Sequence, residues 1–144
     1  MRILFAIFLC VFTFSIGVYG QAVSKDSIQK DYIEFGKGGG FSGATNGYIL
    51  TKDGDLYKIP DCSIGNENCA IVFIKKTTKK SARRIFKFAD KNKLLQTTYN
   101  EPGNTYSYIT LFINRKKQTI TWGSTSGTPP QTVTELSSKL INLL

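Results

Sequence analysis

Tyr48-Ile49-Leu50-Thr51-Lys52-Asp53-Gly54-Asp55-Leu56-Tyr57-Lys58-Ile59 is the stretch on which the fold turns. Two β-prone runs flank Asp53-Gly54. Aspartate-glycine in that setting is among the best short hairpin signals, because both central positions of the tightest hairpin turn need positive φ. The stretch therefore predicts an antiparallel hairpin, and similar signs recur on either side. Upstream, Asp31-Tyr32-Ile33-Glu34-Phe35 alternates polar and apolar residues, the period of a strand. Downstream, Thr105 to Ile113 is strongly β-prone, and Asn114-Arg115-Lys116-Lys117 separates it from a partner run, Gln118 to Trp122. Ala70 to Ile74 reads as a buried strand or the lead into a helix. Leu94 to Tyr99 reads as a short strand or an irregular return, and Glu101 to Asn104 as a turn.

Two segments leave the two-residue period. Between Thr77 and about Lys91, Ala82, Ile85, Phe86 and Ala89 fall at i, i+3, i+4 and i+7, one apolar helical stripe that Thr77 or Thr78 can cap. From Gln131 to Leu143, after the stiff Pro129-Pro130, a second stripe carries Val133, Leu136, Leu140 and Leu143. Hairpins plus two separated helices predict an α+β fold: an antiparallel sheet with both amphipathic helices packed on one face. Residues 31–144 form one domain, preceded by a polar, flexible 21–30. There is no internal repeat.

Residues 1–20 read as a secretory signal. Met1-Arg2 is a short basic start, Ile3 to Val18 is almost wholly apolar, and Val18-Tyr19-Gly20 supplies a cleavage site. Cleavage is expected after Gly20, with Ala22 as the alternative. The competing reading, an uncleaved anchor, is disfavoured because the apolar run is short of a spanning helix and polar sequence follows at once. Cys10 lies inside the apolar run, which argues against lipoprotein processing. The expected address is the periplasm or the extracellular space, with no membrane span once the signal is removed.

The 144 residues carry 19 Lys and Arg against 10 Asp and Glu, a net charge of +9, one less when Arg2 leaves with the signal. Such a surplus favours anionic partners without choosing among them. Export agrees with the cysteines. Cys62 and Cys69 close a short polar loop and are expected to pair, and a bridge over so short a loop contributes about 2–3 kcal/mol.

The chain has no histidine. That removes Ser-His-Asp and Cys-His arrangements and the usual zinc sites. Asp53 and Asp55 flank the expected turn, where aspartate is common for backbone reasons, and Asp-Gly-Asp lacks the further ligands of a calcium loop. No catalytic residue, metal or cofactor is expected: the sequence reads as a non-enzyme.

Two features stand out. The first is Gly36-Lys37-Gly38-Gly39-Gly40-Phe41-Ser42-Gly43, the densest glycine cluster. It fails the phosphate-loop pattern, since its lysine precedes the glycines and no Gly-Lys-Ser/Thr follows. It reads either as a bulged connection with Phe41 plugging the core, or as a contact loop, Lys37 to Gly43, with Phe41 as anchor. The second is Lys80, Arg84, Lys87 and Lys91, a helical stripe with no acidic counterpart on its face. It reads either as a solvated surface or as a site for anionic lipid or saccharide. Nucleic acid is not expected, since no aromatic-and-basic motif surrounds the helix.

Phe35 to Gly43, Tyr48-Ile49-Leu50 with Asp53 to Lys58, Pro102-Gly103-Asn104 before a tyrosine-rich strand, Ile120-Thr121-Trp122-Gly123 and the proline-led leucine helix resemble a family of small uncharacterised exported proteins of Gram-negative bacteria. The order of Gly39-Gly40-Phe41-Ser42-Gly43, a middle helix, a tyrosine strand and Pro129-Pro130 before a final helix also resembles, more distantly, emfourin-type inhibitors of thermolysin-like metalloproteases. That resemblance implies an α+β protein that binds another protein, a secreted protease, without chemistry of its own. Lys37 to Gly43 is then the first place to look for the contact.

Overall fold

The computed structural model describes residues 22–41, 43–62, 69–123 and 127–144. The expected signal sequence, Ser42 and the interior of the cysteine loop lie outside the described residues. Among the described residues, eight strands form one sheet: β1 (Ala22–Ser24), β2 (Tyr32–Gly39), β3 (Thr45–Thr51), β4 (Asp55–Cys62), β5 (Ala70–Lys76), β6 (Asn100–Glu101), β7 (Thr105–Ile113) and β8 (Lys116–Gly123). They lie in the order β1-β5-β4-β3-β2-β7-β8-β6, every pair antiparallel except β6, which runs parallel to β8. Two helices, α1 (Lys79–Lys91) and α2 (Gln131–Ile141), complete an α+β fold.

Alternation along the strands divides the core. Ile33 and Phe35 of β2, Leu50 of β3, Leu56 of β4, Ile109, Leu111 and Ile113 of β7, and Ile120 of β8 share one apolar cluster. Ala82, Ile85, Phe86 and Ala89 of α1 and Val133, Leu136 and Leu140 of α2 belong to the same cluster, so the expected α1 stripe is buried and the α2 stripe is buried except at Leu143, which packs against the cluster half-buried. The residues of opposite parity, Tyr32, Ile49, Ile59 and Ile71, join Cys62 and Cys69 in a second, smaller cluster. The cysteine sulfurs lie within bonding distance, with Cα atoms 6.2 Å apart.

Thr78 caps α1, its hydroxyl accepting from Ser81 N–H at 3.1 Å. Leu94–Gln96 is a turn of 3₁₀-helix that buries Leu94, which settles the return after α1. Several details differ from the sequence reading. The polar lead is not loose over its described length: β1 pairs with β5, a 3₁₀ turn follows at Lys25–Ser27, and Lys25 forms an ion pair with Glu34 of β2. β5 is a strand but not a buried one. Only Ile71 is deep, while Phe73 and Ile74 are exposed, because the three-residue β1 covers little of this end of the sheet.

The turn at Asp53-Gly54 is also of another kind than expected. Gly54 has φ +96° and donates to Thr51 C=O at 2.9 Å, while Asp53 keeps an ordinary negative φ. Three residues span from Thr51 to Asp55, so one left-handed position is enough. Two successive left-handed residues occur instead at Asn114 (φ 52°) and Arg115 (φ 63°), joining β7 to β8.

Candidate functional site

The glycine cluster is a strand end rather than a loop over most of its length. Gly36, Lys37, Gly38 and Gly39 belong to β2, between β3 and β7. At Gly47 of β3, beside Gly36, an added Cβ would lie 2.8 Å from the Tyr108 hydroxyl and 2.5 Å from Phe35 C=O. At Gly38 it would lie 2.7 Å from the Tyr106 ring. The glycines thus make room for the β7 tyrosines, as bare positions in a sheet accept aromatic neighbours.

The connection to β3 is residues 40–44, of which all but Ser42 are described. Gly40 N–H donates to Asn104 C=O at 2.6 Å and Gly43 N–H to Gly40 C=O at 3.1 Å. Gly40 and Gly43 both have positive φ, which a side chain would resist. Phe41, at the tip, is fully exposed. The expectation that it plugs the core is therefore wrong: the turn holds the ring beyond the sheet, out of reach of either apolar cluster.

Lys80, Arg84, Lys87 and Lys91 are all exposed on α1. Other lysines have carboxylate partners: Lys30 and Lys79 on Asp53 at 2.9 and 3.1 Å, Lys52 on Asp31 at 2.8 Å, and Lys76 on Asp55 at 3.1 Å. The four stripe residues take part in none of these ion pairs. Asp53 and Asp55 are thus structural, tying the β3–β4 turn to residue 30 and the start of α1. The hydrogen bonds from Lys30 and Lys79 hold the Asp53 carboxyl down to about 2.

A buried polar group lies in the middle of the sheet. Glu34, 8% exposed, accepts from the Tyr108 hydroxyl at 3.2 Å and faces Lys25. Burial, then the Glu34 charge, push the Tyr108 hydroxyl far above the ordinary phenol range, so it stays a donor. Every carboxylate oxygen here has a partner, and the trio fastens the N-terminal lead across β2.

Beside the glycine-rich strand end, a cleft of about 330 Å³ opens between the sheet and α2. Phe35 and Tyr48, whose rings stack at 5.6 Å, form its floor with Trp122, and Ile141 and Leu144 form its rim. Lys37 stands at its mouth. A shallower depression of about 190 Å³ adjoins it, sharing Lys37, Ser107 and Trp122 and adding Thr105. The sequence reading followed only the Val133-Leu136-Leu140-Leu143 stripe of α2. Ser137, Ile141 and Leu144, at i, i+4 and i+7, form a second stripe that carries the cleft wall, and that spacing was the available signal.

No protein-family model and no curated protein matches this chain. Among the described residues, no helix is long and apolar enough to cross a membrane.

Proposed function

We propose that this chain is a small exported protein that acts by binding another protein, not by catalysis, with the Gly40–Gly43 turn as its contact element. The observation that carries the reading is the full exposure of Phe41 on a turn that is closed by the Gly43 N–H to Gly40 C=O hydrogen bond and joined to Asn104 at Gly40. A turn whose backbone is already closed leaves less chain to order when its exposed ring is seated in a groove, which favours an anchor role. Lys37, Gly38 and Gly39 support the turn from β2, and Ser42 belongs to the same contact. The resemblance to emfourin-type inhibitors makes a secreted metalloprotease the first partner class to try. Both helices are taken to cover one face of the sheet, a placement supported by their joint membership of the larger apolar cluster. That leaves the turn projecting from the sheet's end.

Thermolysin is the direct probe. Saturable inhibition that persists at moderate salt and is lost with Phe41→Ala is the expected result. Absence of any complex with thermolysin sinks the inhibitor version. Recovery of no salt-resistant partner from an envelope extract, with Phe41→Ala behaving as wild type, sinks the protein-binding reading as a whole.

A second reading is favoured by a separate observation. Lys80, Arg84, Lys87 and Lys91 stand exposed and outside the ion pairs that occupy their neighbours, as a surface for anionic lipid or saccharide would. Such binding collapses between low and moderate salt, whereas a ring seated in a groove is nearly indifferent to it.

A further inference from the structure

We propose that the cleft between α2 and the glycine-rich end of the sheet binds a single-chain amphiphile with an anionic head group, independently of the Phe41 turn. The tail compartment is set by side-chain chemistry. Phe35, Tyr48, Trp122, Ile141 and Leu144 line about 330 Å³, no acidic side chain among the described residues lines it, and a cleft of this size and character is typical of small-molecule sites. Ile141 and Leu144 are each about half exposed, an apolar rim that an occupant would cover.

The head compartment is the adjoining depression. Lys37 marks the boundary, and the hydroxyls of Thr105 and Ser107 lie beyond it. Lys37 is exposed and takes no part in the ion pairs of the described residues, unlike Lys25, Lys30, Lys52, Lys76 and Lys79. An ammonium with hydroxyls beside it suits a carboxylate or a phosphate. Alternation along β2 puts Lys37 on the same side as Phe35, so one strand supplies both the floor for the tail and the charge for the head. The two compartments meet at Trp122, and an occupant lying across both would pass over its ring.

Trp122 is the only tryptophan in the chain, so the site carries its own reporter. The test titrates the protein, from residue 21 onward, with decanoate, decyl phosphate and decyltrimethylammonium, each below its micelle threshold, and follows Trp122 fluorescence. The expected result is a saturable blue shift with the two anions and none with the cation. Affinity should rise about fourfold per added methylene until the cleft is full. The tighter of the two anions identifies the head group. Lys37→Glu should weaken binding by about tenfold or more. Ser137→Phe, which fills the cleft from α2, should abolish the response, with circular dichroism confirming that both variants are folded. Equal responses to all three head groups, a signal that never saturates, or a folded Lys37→Glu with unchanged affinity would each overturn the proposal. So would binding that Ser137→Phe leaves intact but moderate salt removes, since that would place the anion on α1.

Discussion

The two apolar clusters are built on different principles. The larger draws mostly aliphatic residues from five strands and both helices, and most of them, including Ile33, Leu50, Leu111, Leu136 and Leu140, are completely buried. The smaller mixes Ile49, Ile59 and Ile71 with Tyr32, whose ring stacks on Phe112 at 5.1 Å, and with the cysteine pair. Near it lies Glu34, held by Tyr108 and Lys25. Burial without direction stabilises the first, whereas the second depends on particular partners in particular places. The larger cluster should therefore be costly to hollow out, and the smaller one costly to leave with an unmatched polar group.

Leu136→Ala tests the first half of that contrast. Truncating a fully buried leucine of α2 in this closely packed cluster should cost about 3 kcal/mol, within the range for such truncations. Glu34→Ala tests the second. It leaves the Tyr108 hydroxyl buried without its acceptor and should cost about 1–3 kcal/mol. Urea unfolding of the two variants measures both. A Leu136→Ala cost below that of Glu34→Ala would mean that the larger cluster collapses around the gap and the contrast fails.

A smaller effect follows from the carboxylates that secure the turns. Asp31 is partly buried, which alone would raise its pKa, but the Lys52 ammonium and the Asn114 N–H, each donating to it, bring the net value below the ordinary one. Asp53 is lowered to about 2 by Lys30 and Lys79. Both are depressed in the folded state, so the stability they lend is complete above the unfolded value of about 4 and is lost as pH falls through the folded values. Stability should therefore decline from about pH 4 to about pH 2. Asp31→Asn should flatten part of that decline while leaving the acid limb due to Asp53. An unchanged slope in Asp31→Asn would show that the link between the two turns contributes nothing to the acid transition.

Much of this architecture was written in simple periodicities. Alternation in β2 and β7 and the stripes of α1 and α2 are enforced by burial, so Ile33, Phe35, Ile85, Phe86 and Leu136 declare themselves. The glycine cluster was harder. Its role depends on Tyr106 and Tyr108 of the distant β7 lying over Gly38 and, on the neighbouring strand, Gly47, and no local pattern records that meeting. The exposure of Phe41 was equally hidden, because an apolar residue among glycines reads alike whether it turns inward or outward. The cleft needed two elements to meet, and the second stripe of α2 has meaning only once Trp122 and Tyr48 face it.

The two hairpin turns carry the smallest effect and show most directly how local rules compete. Asp53-Gly54 has the preferred residues of a two-residue turn, yet only Gly54 is left-handed there. Asn114-Arg115 adopts positive φ at both positions, and its second residue is an arginine. Asparagine tolerates that region; arginine does so at a cost, which the eight register pairs of β7 with β8 outweigh. Arg115→Gly should relieve that cost and stabilise the protein by about 0.5–1 kcal/mol, less whatever unfolded-state entropy the new glycine adds. Gly54→Ala, in contrast, would strain a φ of +96° and push a Cβ to 2.7 Å from Thr77 C=O, so it should destabilise. Thermal unfolding of the pair gives opposite signs if backbone geometry governs both turns. A destabilised Arg115→Gly would mean that the arginine side chain, and not the pairing of β7 with β8, holds its own turn in place.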